Sequence, residues 1–249
     1  MRRFVVVLVA LALVVGCRRT SSRGTVKVAA AADLARAFEE VGPAFTKATG
    51  TPVVFTFGSS GLLAKQLIEG APFDLYAAAN ASYVDQVVSA GVCDAASRAQ
   101  YAQGRVVAWS RGEKLTSLGE LTEPRFRRIA IANPDHAPYG KAAREALQHA
   151  GVWEAVQRKL VFGTNVQQTK QWAQDGSADA AIIALSLSTA GDGGTVLPID
   201  ASWHAPLDQQ LVVCGAGPSA DGAHAFAAYL ASPAGHAIMR RYGFKLPEE

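Results

Sequence analysis

Long apolar runs, basic clusters and metal-ligand spacings are all scarce in this 249-residue chain, and only three cysteines, two methionines and 18% charged residues are present. No group of lysines and arginines is interleaved with aromatics, and the formal charge is only +3, which gives no support to a nucleic-acid footprint. His136, His149, His204, His224 and His236 show no ligand spacing with one another or with a cysteine, so no metal cation is expected. Three cysteines cannot build a disulfide framework. Beyond Cys17, Cys93 and Cys214 either pair in an oxidising compartment or stand as two separate buried thiols. No short-period repeat and no low-complexity tract interrupts the sequence.

The one long apolar run, Phe4 to Val15, follows Arg2-Arg3 and is too short to span a bilayer comfortably. It reads as an export signal over residues 1–16. Its close, Val14-Val15-Gly16-Cys17, resembles a bacterial lipoprotein cleavage box, which makes Cys17 the expected lipidated first residue of the mature chain. Residues 17–24 are polar and read as a tether. Cleavage leaves 233 residues with a formal charge of +1, enough for one large domain or two lobes of roughly 100 residues each.

From Thr25 onward short apolar runs alternate with amphipathic stretches, the pattern of an α/β fold. Strands are expected at 26–30, 53–57, 75–78, 105–109, 127–132, 160–162, 180–184 and 210–214. Helices are expected at 33–49, 62–69, 82–90, 141–150, 167–175, 224–230 and 233–242. In the first helix Leu34, Phe38, Val41 and Phe45 fall on one face. Lobe 1 is assigned to 25–103 plus 207–249 and lobe 2 to 104–206, and the two crossings near 103 and 207 make a hinge. Four strand-to-helix turns carry small or polar residues: Ala32-Asp33, Ser59-Ser60, Pro138-Tyr139 and Asn165-Val166. Ligands of open α/β sheets bind beyond the carboxyl ends of strands, so these turns are expected to converge between the lobes.

The sharpest of the four is Gly58-Ser59-Ser60-Gly61, between a strand and a helix. A helix N-terminus offers unpaired N–H groups and the positive end of a dipole, a site for an anion. A phosphate-binding loop would follow its glycines with Gly-Lys-Ser/Thr; here Leu62, Leu63 and Ala64 follow, which disfavours a nucleotide and favours a compact anion held by neutral donors. The structural alternative is that Ser-Ser merely caps the helix. Neither serine sits in a Gly-x-Ser-x-Gly elbow, and no histidine or acidic partner is evident for a nucleophile.

AAADLARAF at 30–38, FGSSG at 57–61, GAPFD at 70–74, IANPDHAPYG at 131–140, GTNVQQT at 163–169 and SPAGHAIMRRYGF at 232–244 together resemble the periplasmic molybdate-binding proteins that serve ABC importers. The resemblance implies two α/β lobes in the periplasmic-binding-protein fold, each a mostly parallel sheet flanked by helices, closing on one tetrahedral oxyanion. It implies contacts to molybdate or tungstate at Asp33, Ser59, Ser60, the Tyr139 amide and the Val166 amide. The molybdenum keeps its own oxygens, and no cofactor and no catalysis are needed. The implied partners are an ABC permease and, through the lipid on Cys17, a membrane; the protein is expected to be a periplasmic monomer.

Three positions depart from the family pattern. Asp33 stands where a serine often donates, Ala184 where a tyrosine can, and Asn80 where an aspartate is common. Asp33 is expected to turn its carboxylate back as a helix cap and offer only its amide; the alternative is that it takes a proton from a protonated ligand such as hydrogen phosphate. Arg105, Lys141 and Arg144 are read as solvated surface charges rather than a steering rim, and Trp109, Trp153, Trp172 and Trp203 as core or rim residues. The rival functions are a binder of phosphate or sulfate, and a serine hydrolase.

Overall fold

Two five-stranded sheets organise the chain in a computed structural model that describes residues 24–112, 114–188 and 192–247. In chain order the elements are β1 (Val26–Ala31), α1 (Ala35–Thr49), β2 (Val53–Gly58), α2 (Ser60–Ile68), β3 (Leu75–Ala78), α3 (Ala81–Ser89), β4 (Ala99–Gln103) and β5 (Val106–Arg111). They continue as β6 (Ile129–Ala132), α4 (Pro138–His149), α5 (Trp153–Val156), β7 (Leu160–Gly163), α6 (Val166–Asp175), β8 (Ala180–Ala184), β9 (Gly194–Pro198), β10 (Asp208–Val213), α7 (Pro218–Leu230) and α8 (Pro233–Arg241). Cys17 and the export signal lie outside the described residues.

The sheet orders are β2-β1-β3-β10-β4 and β7-β6-β8-β5-β9. In each sheet the three strands joined through helices run parallel, β2-β1-β3 and β7-β6-β8. The strand arriving from the other sheet, β10 or β5, pairs antiparallel on both its sides. Each sheet is therefore mixed, because a strand that enters by a crossing comes without the helical return that parallel pairing requires. The chain passes between the sheets at residues 104–105 and again between β9 and β10.

The parallel strands are nearly continuous apolar runs because helices cover both faces. β3, β6 and β8 are buried throughout. Helix α1 buries Phe38, Val41 and Phe45 while its other face is solvated, as its spacing requires. Phe38 and Phe45 meet Phe226 of α7 edge-on, with centroids 5.6 and 5.2 Å apart, which ties the C-terminal helices to the first sheet. Cys93, after α3, and Cys214, after β10, are joined as a disulfide within that unit. Trp109 is fully buried; Trp153, Trp172 and Trp203 are partly buried against the core.

Candidate functional site

Asp33, Ser59, Ser60, Tyr139 and Val166 line one small cavity, together with Ala31, Ala32, Gly58, Ala79, Ala137 and Pro138. Its volume is about 10 Å³, far below the roughly 300–1,000 Å³ of a drug-sized site. A nucleotide has no room in a cavity of this size. The first sheet supplies Asp33 and the two serines, the second Tyr139 and Val166, so the cavity lies where the two halves of the molecule meet.

Three helices begin at this cavity. Ser60 is the first residue of α2, Tyr139 the second of α4 and Val166 the first of α6. Such first-turn N–H groups have no carbonyl to bond within their own helix. Asn165 caps α6 by accepting from the Gln168 N–H at 2.9 Å, and Pro138 starts α4 with its fixed φ, so both amides are held in place from their own side. Three positive dipole ends meeting at one point favour negative charge there.

Neither serine caps α2. Ser59 occupies the N-cap position, but its hydroxyl lies 2.8 Å from His136 Nδ1 across the junction of the two units. The buried Ser60 Oγ accepts from the Ala79 N–H at 3.0 Å, which leaves its own proton for another acceptor. The Ser60 carbonyl is fixed by the Tyr76 phenol at 2.6 Å. The Gly61 N–H donates to the His136 carbonyl at 2.9 Å. A Cβ on Gly61 would fall 2.7 Å from that oxygen and 2.9 Å from the Tyr83 ring, so only glycine permits this approach. The sequence carried no sign that His136 would meet Ser59, 77 residues away.

The expectation that Asp33 caps its own helix is overturned. It lies inside a short 3-10 turn, Ala32–Leu34, and its side chain caps neither that turn nor α1. Its fully buried carboxylate instead accepts from the Tyr139 hydroxyl at 3.2 Å and from the Gln209 side-chain amide. Partners more than 100 residues away outcompete the local cap because the buried carboxylate must find donors. The Tyr101 hydroxyl donates to Gln209 Oε1 at 2.9 Å, and the Ser186 hydroxyl to the Asp33 carbonyl at 2.7 Å. Burial pushes the Asp33 carboxyl up to about 6, against the lowering effect of the Gln209 and Tyr139 hydrogen bonds and of its own backbone N–H. Burial likewise raises the Tyr139 and Tyr101 phenols, which stay neutral. Gly104, at the first crossing, makes room: a Cβ there would lie 2.1 Å from the Tyr139 hydroxyl.

Lys141 and Arg144 line a separate pocket at the mouth of the junction, with Tyr83, Gln86 and Asp135. Arg105 is committed elsewhere, its Nε donating to the Gly243 carbonyl at 2.7 Å. Ala184 is buried at the end of β8 and carries no donor, and the buried Asn80 Oδ1 has no hydrogen-bond partner. Among the described residues no group of three metal-ligating side chains occurs.

The sequence profile of bacterial extracellular solute-binding proteins matches residues 26–245. The chain is 34% identical over 236 residues to the molybdate-binding protein ModA of Rhodobacter capsulatus, covering 94% of each. The structure is similar to that of the periplasmic molybdate-binding protein of Azotobacter vinelandii, with a TM-score of 0.82, 28% identity, and coverage of 89% of this chain and 99% of that one. The sulfate-binding protein SubI of Mycobacterium tuberculosis shares the fold at a TM-score of 0.75 and 16% identity, covering 90% of this chain and 88% of that one. With its two mixed sheets meeting at one small cavity, the chain belongs to the bacterial extracellular solute-binding protein family.

Proposed function

We propose that this protein captures molybdate, and equally tungstate, between its lobes and delivers it to the permease of an ABC importer. One observation carries the reading: residues with hydroxyls and helix-start amides from both halves of the molecule line one small cavity. Its relatives include proteins named for molybdate binding. Lobe 1 is residues 25–103 with 207–249, lobe 2 is 104–206, and the crossings between them are the hinge. Ser60, supported by Ser59, donates from lobe 1, and the Tyr139 and Val166 amides donate from lobe 2. The anion meets all of them only when the lobes are together, so binding favours closure. Each hydrogen bond to a charged group contributes about 1.5–3 kcal/mol.

Export to the periplasm, a lipid on Cys17 and action as a monomer complete the proposal. A thermal-shift and calorimetric panel of molybdate, tungstate, sulfate and phosphate on the mature chain tests it. Molybdate and tungstate should raise the melting temperature at concentrations where the others do not. A larger response to sulfate or phosphate would reassign the ligand.

The Ser59–His136 contact is the one feature that favours a hydrolase. Among the described residues no carboxylate bonds to His136 to orient it as a base, and the family is one of binding proteins. Ester hydrolysis that disappears in Ser59→Ala would reverse this judgement.

A further inference from the structure

We infer that Asp33 and the bound anion share one proton, so that capture of a fully deprotonated dianion draws a proton from solvent and Asp33 helps to decide which oxyanions the cleft accepts. The inference rests on the oxyanion reading above and adds to it a specificity-determining residue.

The hydrogen-bond network fixes where that proton sits. The Tyr101 hydroxyl has the Ala78 carbonyl at 3.3 Å and Gln209 Oε1 closer, at 2.9 Å; Oε1 is its acceptor, and Gln209 Nε2 faces Asp33 as a donor. Nε2 also lies 3.3 Å from the Tyr139 oxygen, whose own proton goes to Asp33. Both donors act on Oδ2. Oδ1 is fully buried and has no partner, on a residue that lines the ligand cavity. A proton on this carboxyl therefore belongs on Oδ1, where it can be donated to an anion oxygen.

Among the described residues no nearby charge offsets the carboxylate. From α1, Arg36 is paired with Glu39 at the surface; from α6, Lys170 is bonded to Asp192 at 2.8 Å beneath the Trp109 ring. From α4 come the neutral Tyr139 and, at the mouth, Lys141 and Arg144. β4 supplies the neutral Tyr101, and the turn before α4 supplies Asp135 and His136, the latter on Ser59. β2 and the 3-10 turn Leu185–Leu187 supply no titratable residue. Among the described residues no cation pairs with Asp33.

Burial has already brought the carboxyl to about 6. At pH 8 its protonation therefore carries a penalty of about a hundredfold. A like charge about 4 Å away at an effective dielectric of about 20 corresponds to a factor of about a thousand, and a dianion carries two. Repulsion exceeds the penalty, so the carboxyl protonates as the anion arrives. Hydrogen phosphate differs because it brings its own proton, which the ionised carboxylate accepts.

Calorimetry of the mature protein with sodium molybdate, in two buffers of different ionisation enthalpy at each pH from 6.5 to 8.5, tests this. We expect uptake of about one proton per anion at pH 8, and an affinity that falls about tenfold from pH 7.5 to 8.5. Asp33→Asn should take up none and have a flat profile; Asp33→Ser serves if that variant does not fold. His136→Asn should keep the slope, because His136 bonds Ser59 and not Asp33. Binding by the parent without proton uptake, or a slope that survives in the Asp33 variants or vanishes in His136→Asn, overturns the inference. Failure to bind molybdate at any pH overturns the ligand assignment instead, and the same titration with sulfate, also fully deprotonated, then decides the role of Asp33.

Discussion

Replacing Gly61 with alanine separates folding from closure, because its two effects have opposite signs. In the closed cleft the new Cβ lies 2.7 Å from the His136 carbonyl oxygen, a backbone atom that cannot rotate away. Relief requires the lobes to part, which weakens the Gly61–His136 and Ser59–His136 hydrogen bonds and withdraws the α2 hydroxyls from the anion. Two neutral hydrogen bonds of about 1 kcal/mol each give a closure penalty of about 2 kcal/mol, or about a thirtyfold loss of molybdate affinity. Within lobe 1 the new Cβ also comes 2.9 Å from the ring of Tyr83, which is half-buried and can swing aside, and the change replaces a helical glycine by the best helix former, a net gain of up to about 0.5–1 kcal/mol. The ligand-free melting temperature should therefore rise by about 1–3 °C while the molybdate-induced shift shrinks. Calorimetry and scanning melts with and without molybdate give both quantities. An affinity within threefold of the parent, or a lower ligand-free melting temperature, would refute the argument that Gly61 is required by the contact between lobes.

Ser60→Ala removes both a proposed ligand donor and the acceptor of the buried Ala79 N–H, so calorimetry should show at least a tenfold weaker affinity and urea melts a loss of about 1–3 kcal/mol. Breaking the Cys93–Cys214 disulfide, which spans 121 residues, should cost about 5 kcal/mol by chain entropy and lower the urea midpoint, with little change in the affinity of protein that remains folded. Raising the Asp33 carboxyl from 3.8 to about 6 means that the folded state binds the proton more tightly; its stabilising share is complete below pH 4 and is lost as pH climbs through 6, about 3 kcal/mol in all. Asp33→Asn should accordingly be more stable than the parent at pH 7.5, and the gap should close between pH 6 and 4 in urea melts. Lys141→Glu with Arg144→Glu should slow molybdate association several-fold at low salt, and stopped-flow rates should converge with the parent near 1 M salt.

Much of the architecture was legible because parallel strands buried on both faces read as unbroken apolar runs, and because the helices between them carry one apolar face. The missed strands were edges. Ala99–Gln103 begins with two exposed residues and Gly194–Pro198 is only partly buried, so neither presents an apolar run. Helix starts were read late for a related reason. α2 begins at Ser60 rather than Leu62, α4 at Pro138 rather than Lys141 and α7 at Pro218 rather than His224. Periodicity registers residues that face a core, whereas the first turns of α2 and α4 face the cavity. Proline at the helix start was the available signal for α4 and α7. Gln209, Tyr101 and His136 stayed invisible, since each acts on a partner at least 77 residues away and belongs to no local motif.

Asp33 shows why that failure falls on function. Judged by its neighbours in sequence, an aspartate before a helix is a cap, and the local rule is sound wherever the side chain can reach solvent or its own backbone. Here the residue lies at the carboxyl end of a buried parallel strand, against the other lobe, where Tyr139 and Gln209 take one oxygen and leave the second without a donor. A fold that only needed a helix start would gain by replacing this carboxylate with serine or asparagine. Keeping it makes the ionised, closed form costly until something supplies either a proton or a hydrogen-bonding oxygen to share one. If Asp33 shares a proton with the anion as proposed, the oxyanion that best satisfies Oδ1 also best stabilises the joined lobes.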